Sequence, residues 1–133
     1  MGCFTLMRKR VLVIDDNPDM TELISTLLIP EHYDVFTTNQ ALQGINLVRE
    51  IHPDVVILDL MMPDMHGLRV CQEIRKFSSV PLLVLSADST PGLSTRLLDE
   101  GADDFLLKPM NPIILVAQTN RLARRSRQAA ALT

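Results

Sequence analysis

Five polar side chains stand where apolar runs of the sequence end, and together they could carry out phosphoryl transfer. Asp15 and Asp16 follow "VLVI", Asp59 follows "VVIL", Ser86 ends "PLLVLS" and Lys108 follows "DFLL". Each has an ordinary explanation when taken alone, as a helix start, a strand end, a turn residue or a solvated surface charge. All of these explanations would have to hold at once, so the common position after apolar runs favours a shared site.

The types of these side chains suit a metal-assisted reaction on a carboxylate. Clustered carboxylates repel one another, and one of them stays protonated unless a cation joins them. Oxygen ligands without a neighbouring His or Cys indicate a hard cation, Mg²⁺ before Ca²⁺ or Zn²⁺. Mg²⁺ readily accepts a phosphate oxygen, and a lysine and a hydroxyl could hold the remaining phosphoryl oxygens. Asp59 would then be the nucleophile that forms an aspartyl phosphate.

The position of these residues depends on alternating strands and helices. Five apolar runs are typical of buried strands, at 11–15, 33–38, 55–58, 81–86 and 104–107. Segments with helical character follow them, at 17–28, 40–50, 66–77, 93–102 and 111–127. This alternation predicts an α/β fold, a doubly wound parallel sheet of five strands with five helices on both faces. Ligands of such sheets bind outside the carboxyl ends of the strands, where Thr37 and Thr38 would join the polar residues named above.

The composition of the chain limits the classes of protein to which it can belong. The chain has 133 residues, 47% of them hydrophobic and 22% charged, which fits one folded domain. A net charge of −3 argues against nucleic-acid binding by this domain itself. Two cysteines without a CxxC motif argue against a disulfide framework or a zinc site. No apolar stretch reaches the roughly 20 residues that span a bilayer, so we expect a cytoplasmic protein without membrane contact.

Four motifs together resemble the receiver domain of two-component response regulators. They are "VLVIDDNPDM", "DVVILDLMMPDMHG", "VLSAD" and "GADDFLLKPM", in that order and at compatible spacing. The resemblance covers residues 8–125, which leaves 1–7 as an expected disordered leader and 126–133 as a tail or the start of a linker. It implies a flavodoxin-like sheet with strand order 2-1-3-4-5. It also implies a phosphorylation-gated switch that is not an enzyme, beyond taking up and losing its own phosphoryl group.

The resemblance implies a role for each residue that would hold the metal or the phosphate. Asp59 is expected to accept the phosphoryl group from a histidine kinase. Asp16 would bind Mg²⁺ directly, Asp15 would bind it through water, and Met61 would offer its backbone carbonyl. Since only the carbonyl of Met61 is needed, its side-chain type is unimportant for this role.

The resemblance also assigns the residues that would respond to phosphate. Ser86 would donate a hydrogen bond to a phosphoryl oxygen, with the small Ala87 leaving it room. Lys108 would pair with the phosphate, and its bond to Pro109 is expected to be cis, an isomer that only proline makes accessible at low cost. Phe105 matches the aromatic switch position, whose ring moves inward when the hydroxyl moves.

The motif "GADDFLLKPM" most resembles receivers that precede a winged-helix DNA-binding domain. That likeness implies transcriptional control through an output domain, and a stand-alone regulator acting by protein–protein contact is the alternative. In that subclass the fourth helix, fifth strand and fifth helix form an ion-paired dimer after phosphorylation. Asp103 and Asp104 match its acidic residues, but Gln118, Asn120 and Ser94 stand where basic residues are usual. We therefore expect a weak homodimer at most.

Two further functions can be weighed against the switch. A Mg²⁺-dependent phosphatase with an aspartate nucleophile usually needs an acid–base aspartate two residues later, where this chain has Met61. It also needs a cap over the site, and no loop is long enough to form one. A degenerate receiver acting only through protein contacts would lack part of the phosphorylation set, which is complete here.

One local difference from the family pattern concerns the start of the third helix. The usual Met-Asp-Gly is replaced by Met65-His66-Gly67. Because the aspartate normally caps the helix, the sequence leaves open how this helix begins. A loop histidine without a partner in the sequence is expected to be chemically inert.

Overall fold

The computed structural model describes residues 8–132, so the predicted leader at 1–7 lies outside the described residues. Five strands alternate with five helices. The strands are β1 (Lys9–Ile14), β2 (Tyr33–Thr38), β3 (Val55–Asp59), β4 (Leu82–Ser86) and β5 (Asp104–Leu107). The helices are α1 (Pro18–Leu28), α2 (Ala41–Ile51), α3 (Gly67–Arg75), α4 (Leu93–Asp99) and α5 (Pro112–Leu132), with a 3-10 turn at Ile29–Glu31.

The strands form one parallel sheet in the order β2-β1-β3-β4-β5. The predicted fold class and strand order are therefore confirmed. In the register of the sheet, Asp59 lies opposite Leu85 and Ser86 lies opposite Leu107. Because the strands are parallel, the residues at their carboxyl ends gather at one edge.

Alternate residues of the central strands face two separate cores, one on each side of the sheet. Leu12 and Leu58 point into the core formed with α2, α3 and α4. Val11 and Val13 point into the core formed with α1 and α5. All four side chains are completely buried, and burying an aliphatic side chain contributes about 1.5–3 kcal/mol. These two cores fix the ends of the strands and, with them, the polar edge.

The first and third helices begin at side-chain caps. Asn17 accepts a hydrogen bond from the N–H of Asp19 at 2.9 Å, and Pro18 occupies the first turn, as the sequence predicts. At α3 the Nδ1 atom of His66 accepts a hydrogen bond from the N–H of Leu68 at 3.2 Å. His66 therefore takes the capping role that an aspartate would usually have, and it does have a partner in the fold.

Helix α5 is longer than the sequence predicts, because it continues to Leu132 and contains the expected domain boundary at 125. Arg127, the last residue of the predicted helix, is bonded to the other end of the sheet. Its guanidinium donates to both carboxylate oxygens of Asp54, at 2.7 and 3.0 Å, and to the carbonyl of Arg8 at 2.8 Å. These bonds hold the last part of α5 against the amino-terminal ends of β1 and β3. Neither α5 nor any other helix within residues 8–132 is long and apolar enough to cross a membrane.

Candidate functional site

Three carboxylates meet at the carboxyl edge of the sheet. Asp15 and Asp16 follow β1 and Asp59 ends β3, and one oxygen of each lies within 4.8 Å of the others. Asp15 and Asp59 are only 2% and 6% exposed, whereas Asp16 faces solvent. The structure therefore brings together the three acids that the sequence predicted to meet. Acids packed this closely need a compensating positive charge.

Lys108 supplies part of that charge. Its Nζ lies 3.1 Å from Oδ1 of Asp59 and 3.2 Å from Oδ2 of Asp15. The backbone N–H of Lys108 donates to the carbonyl of Ser86 at 2.8 Å, which extends the β4–β5 pairing to the lysine. The Lys108–Pro109 peptide bond is cis, as expected. With its side chain 20% exposed, the lysine joins the two buried carboxylates largely out of water.

Burial determines the protonation behaviour of this group of charges. Burial raises the pKa of Asp59 above its ordinary value, and the negative charges of Asp15 and Asp16 add to the rise, while the hydrogen bond from Lys108 opposes it. Burial by itself would lower the pKa of Lys108, but its hydrogen bonds and the charges of Asp59 and Asp15 outweigh that effect and raise it. A further cation at the site would relieve the repulsion that Asp59 experiences.

The donor set fits a hard divalent cation. The cluster consists of carboxylates alone, and Mg²⁺ and Ca²⁺ prefer oxygen donors whereas zinc favours nitrogen and sulfur. Asp16 leaves one side of the cluster open to solvent, which suits an ion that keeps several waters and admits a phosphate oxygen. Met61 lies two residues after Asp59 and is 57% exposed. Its role as a carbonyl ligand stays a prediction.

Ser86 lies beside the acids at the end of β4. It is completely buried, and its Oγ accepts a hydrogen bond from the N–H of Asp88 at 2.9 Å. Ala87 between them is exposed. Because this bond uses only a lone pair of the oxygen, the hydroxyl proton of Ser86 stays available to donate to an incoming phosphoryl group.

Phe105 lies on the neighbouring strand, opposite Val84. Its ring is partly buried and packs against the core on the side of α2, α3 and α4. It also lines a cavity of about 200 Å³ together with Leu107 and residues 88–94. The ring therefore has free space next to it, between β5 and the connection that follows Ser86.

The two threonines predicted at this edge do not contact the acids through their side chains. Thr37 is exposed. Thr38 is buried, and its hydroxyl contacts the side-chain oxygen of Gln43 in α2. Thr38 contacts the acids through its backbone, since its carbonyl accepts a hydrogen bond from the N–H of Asp15 at 3.1 Å.

Two residues that the sequence did not single out contact this region. Asn39 donates from Nδ2 to the carbonyl of Asp15 at 2.8 Å. Asp64 accepts at Oδ2 from the N–H of Ala41, the first residue of α2, also at 2.8 Å. The sequence carried one faint signal of the second contact, since Gln40 before α2 is a poor capping residue.

Comparison with families and curated proteins gives consistent matches. A family model described as the response regulator receiver domain matches residues 11–120. The "DNA-binding response regulator MtrA" of Mycolicibacterium smegmatis is 39% identical over 120 residues, which are 90% of this chain and 53% of that protein. The "Probable transcriptional regulator ycf27" of Guillardia theta is 39% identical over 123 residues, 92% of this chain and 48% of that protein. The chain spans about half the length of the curated relatives it matches.

Solved structures share the same fold. The receiver domain of Francisella response regulator 1452 superposes with a TM-score of 0.84 at 28% identity, covering 89% of this chain and 98% of that one. A response regulator receiver domain protein from Clostridium thermocellum superposes with a TM-score of 0.85 at 27% identity, covering 91% and 98%. The similarity extends over most of both chains.

Proposed function

Because this chain belongs to the receiver domain family of response regulators, we propose that Asp59 is its phosphoacceptor and that the acids beside it hold Mg²⁺. Receiver domains are signalling domains that histidine kinases phosphorylate. The observation that carries the assignment is the contact of Lys108 with both Asp59 and Asp15. It brings a nucleophile, a metal-binding acid and a phosphate-binding amine to one point.

In the proposed step a carboxylate oxygen of Asp59 attacks the phosphorus of a phosphohistidine. A P–O bond to Asp59 forms while the P–N bond breaks, and the electron pair of that bond returns to the imidazole of the kinase. Lys108 exchanges the Asp59 oxygen for a phosphoryl oxygen, so its charge stays beside the reacting group. The hydroxyl of Ser86 donates a hydrogen bond to another phosphoryl oxygen. These residues orient and neutralise, which is most of what phosphoryl transfer needs.

The hydrogen bonds of Asp15 and Asp16 support different roles for these two residues in binding the metal. Both oxygens of Asp15 are engaged, one by the N–H of Asn17 at 3.0 Å and the other by Lys108. Within residues 8–132 no hydrogen bond engages the carboxylate of the exposed Asp16. Asp16 would therefore bind Mg²⁺ directly and Asp15 through water. When bound, Mg²⁺ supplies positive charge to the phosphoryl oxygens.

The signal would leave the site through Ser86 and Phe105. When the hydroxyl of Ser86 turns to the phosphoryl group, its present position beside Asp88 is vacated. The ring of Phe105 would turn inward and repack the face formed by α4, β5 and α5. Phosphate can favour this arrangement only by contacts that the other arrangement lacks, on the order of a few kcal/mol. The phosphoryl group would later be lost by autodephosphorylation.

The proposed output is control of transcription. The curated relatives named above are DNA-binding or transcriptional regulators about twice as long as this chain. An output domain would receive the change at α4, β5 and α5, and a stand-alone regulator acting by protein contact is the alternative. We place this activity in the cytoplasm, where a kinase finds ATP and a regulator finds DNA.

A homodimer through the same face would be weak. The two acidic residues that could cross such an interface are engaged within the chain, Asp104 with Arg121 at 2.8 Å and Asp103 with Arg75 at 2.9 Å. Three large apolar side chains of these elements remain about half exposed, namely Leu98, Leu107 and Ile114. Contact between two copies would therefore be mainly apolar.

Phosphorylation with a small donor tests the assignment. Incubation with acetyl phosphate and Mg²⁺ should add one phosphoryl group by mass to the parent protein. It should add none to Asp59→Ala and none when Mg²⁺ is removed by a chelator. Asp99→Ala, which removes an equal charge from the exposed end of α4, should behave as the parent. Phosphorylation of Asp59→Ala at the parent rate would show that the acceptor is elsewhere.

A further inference from the structure

A connection of only two residues, Asn39 and Gln40, joins β2 to α2. It lies at the carboxyl edge of the sheet, where the connection and the first residue of α2 each contact one of the two loops that would surround the metal. One loop follows β1 and carries Asp15, and the other follows β3 and spans residues 60–66. The side chain of Asn39 makes the first contact from within the connection, and the side chain of Asp64 makes the second from the loop after β3.

The first contact holds the backbone of Asp15. Asn39 donates from Nδ2 to the carbonyl of Asp15 at 2.8 Å, and the same nitrogen lies 3.4 Å from the hydroxyl of Thr21. The N–H of Asp15 donates to the carbonyl of Thr38 at 3.1 Å. Both backbone polar groups of Asp15 are thus bonded to adjacent residues of one short segment, which fixes the point on the backbone from which its carboxylate extends.

The second contact holds the loop after the phosphoacceptor. Gln40 makes no side-chain bond at the start of α2. The N–H of Ala41 instead donates to the carboxylate of Asp64, which comes from the loop after β3, at 2.8 Å. A carboxylate in this place satisfies an unpaired helical N–H and is favoured by the helix dipole. The helix is therefore capped by a residue 23 positions away.

The base of the same loop is closed independently. The N–H of Gly67 donates to the carbonyl of Leu60 at 2.7 Å. A Cβ at position 67 would stand 2.7 Å from the Cα of Leu60, so only glycine permits this approach. Met61 lies between this closure and Asp64. The proposed function makes the carbonyl of Met61 a metal ligand. The loop that carries it is fixed by the Leu60–Gly67 bond and by the bond of Asp64 to Ala41.

We propose that Asn39 and Asp64 are positioning residues that brace the two sides of the metal site, one from the β2–α2 connection and the other against the start of α2. The inference rests on the proposed function, since it concerns the Mg²⁺ of that reaction. Neither residue needs to touch the metal. Asn39 acts through the backbone of Asp15, and Asp64 acts through the loop that presents Met61.

Mg²⁺ titration of the whole chain, followed by amide chemical shifts, tests the inference. Asn39→Ala and Asp64→Ala should each weaken Mg²⁺ binding about tenfold, the lower end of what residues that orient metal ligands contribute. Asp64→Asn keeps an oxygen that can accept from Ala41 and should restore most of the affinity. Asn39→Leu keeps the approximate size and loses the donor without adding a charge, and should stay weak.

Matched controls separate positioning from general stability and from charge. Asn46→Ala and Asp99→Ala remove the same side-chain types at exposed positions in α2 and α4 and should bind Mg²⁺ as the parent does. If Asn39→Ala and Asp64→Ala melt earlier yet bind Mg²⁺ normally, the two residues are merely structural and the inference is wrong. It is also wrong if Asp64→Asn binds as weakly as Asp64→Ala, because charge would then be the cause. A parent that binds no Mg²⁺ would instead overturn the proposed function.

Discussion

The ammonium nitrogen of Lys108 lies 3.1 Å from a carboxylate oxygen of Asp59, across 49 residues of sequence. The same nitrogen contacts Asp15, so one lysine compensates two buried acids. A metal ion at the acidic cluster would act on the same negative charge. We therefore expect Lys108 and a bound metal ion to stabilise the folded protein in the same way, so that either can partly replace the other.

Lys108→Met should lower the free energy of unfolding at pH 7 without Mg²⁺ by about 3 kcal/mol, because it leaves buried carboxylates without their partner. Mg²⁺ should recover much of this loss and should bind the variant more tightly than the parent. Urea unfolding with and without Mg²⁺ measures both effects. Lys76→Met removes an exposed lysine paired with Glu73 and should change little. A loss in Lys108→Met that Mg²⁺ does not reduce would contradict this account.

Asp59→Asn should stabilise the protein at pH 7 in the absence of Mg²⁺. Burial raises the folded-state pKa of Asp59 above its usual 3.8, so between the two values the folded protein binds more protons than the unfolded chain. Stability then falls as pH rises through that window, and the wild-type penalty is fully present above it. The gain should shrink as pH falls toward 4. Unfolding free energies of the parent and Asp59→Asn, measured between pH 4 and 7, test this prediction. The control Asp99→Asn should show no such dependence on pH.

Arg127→Ala should loosen the end of α5. Its paired hydrogen bonds to Asp54 are partly exposed, at 36% for the arginine side chain and 13% for the aspartate. We expect a loss of about 1 kcal/mol. Hydrogen exchange of the amides after residue 125 should accelerate, whereas Arg124→Ala, on the exposed side of the same helix, should leave exchange unchanged. If exchange accelerates equally in both variants, the Arg127–Asp54 pair does not specifically stabilise the end of α5.

Activation by beryllofluoride should produce at most a weak dimer that depends little on salt. Asn120, where a basic residue is usual, accepts a hydrogen bond from the hydroxyl of Tyr33 at 2.7 Å and carries no charge. Apolar contact is less sensitive to ionic strength than ion pairing. Sedimentation at two ionic strengths measures this, and Leu98→Ser should weaken the association further. A tight dimer that dissolves sharply with salt would indicate that Arg96 or Arg124 supplies charges across the interface.

The sequence predicted the parts of the fold that follow from periodicity. Apolar runs marked the strands because a buried parallel strand is apolar on both faces. The rule that strand ends share one edge then placed Asp15, Asp59 and Lys108 together, as the structure has them. Four motifs supplied the strand order, which alternation alone does not determine.

The sequence could not predict bonds between loops that are distant along the chain. Asn39 and Asp64 looked like ordinary loop residues because their partners, Asp15 and Ala41, become neighbours only in the folded sheet. The full length of α5 was missed for a different reason. The predicted helix ended at Arg127, and the residues after it contain neither a stop signal nor an apolar pattern that marks where the helix ends.

Arg127 and Asp59 lie at opposite edges of the sheet, because Asp54 precedes the first residue of β3 and Asp59 is its last. Five residues of strand separate the edges by about 16 Å, whereas the Debye length at physiological ionic strength is about 8 Å. A segment attached after α5 would therefore sense little of the phosphoryl charge through solvent. A signal that reaches this segment must therefore travel as displacement of packed side chains, and its passage through the domain should depend little on salt concentration.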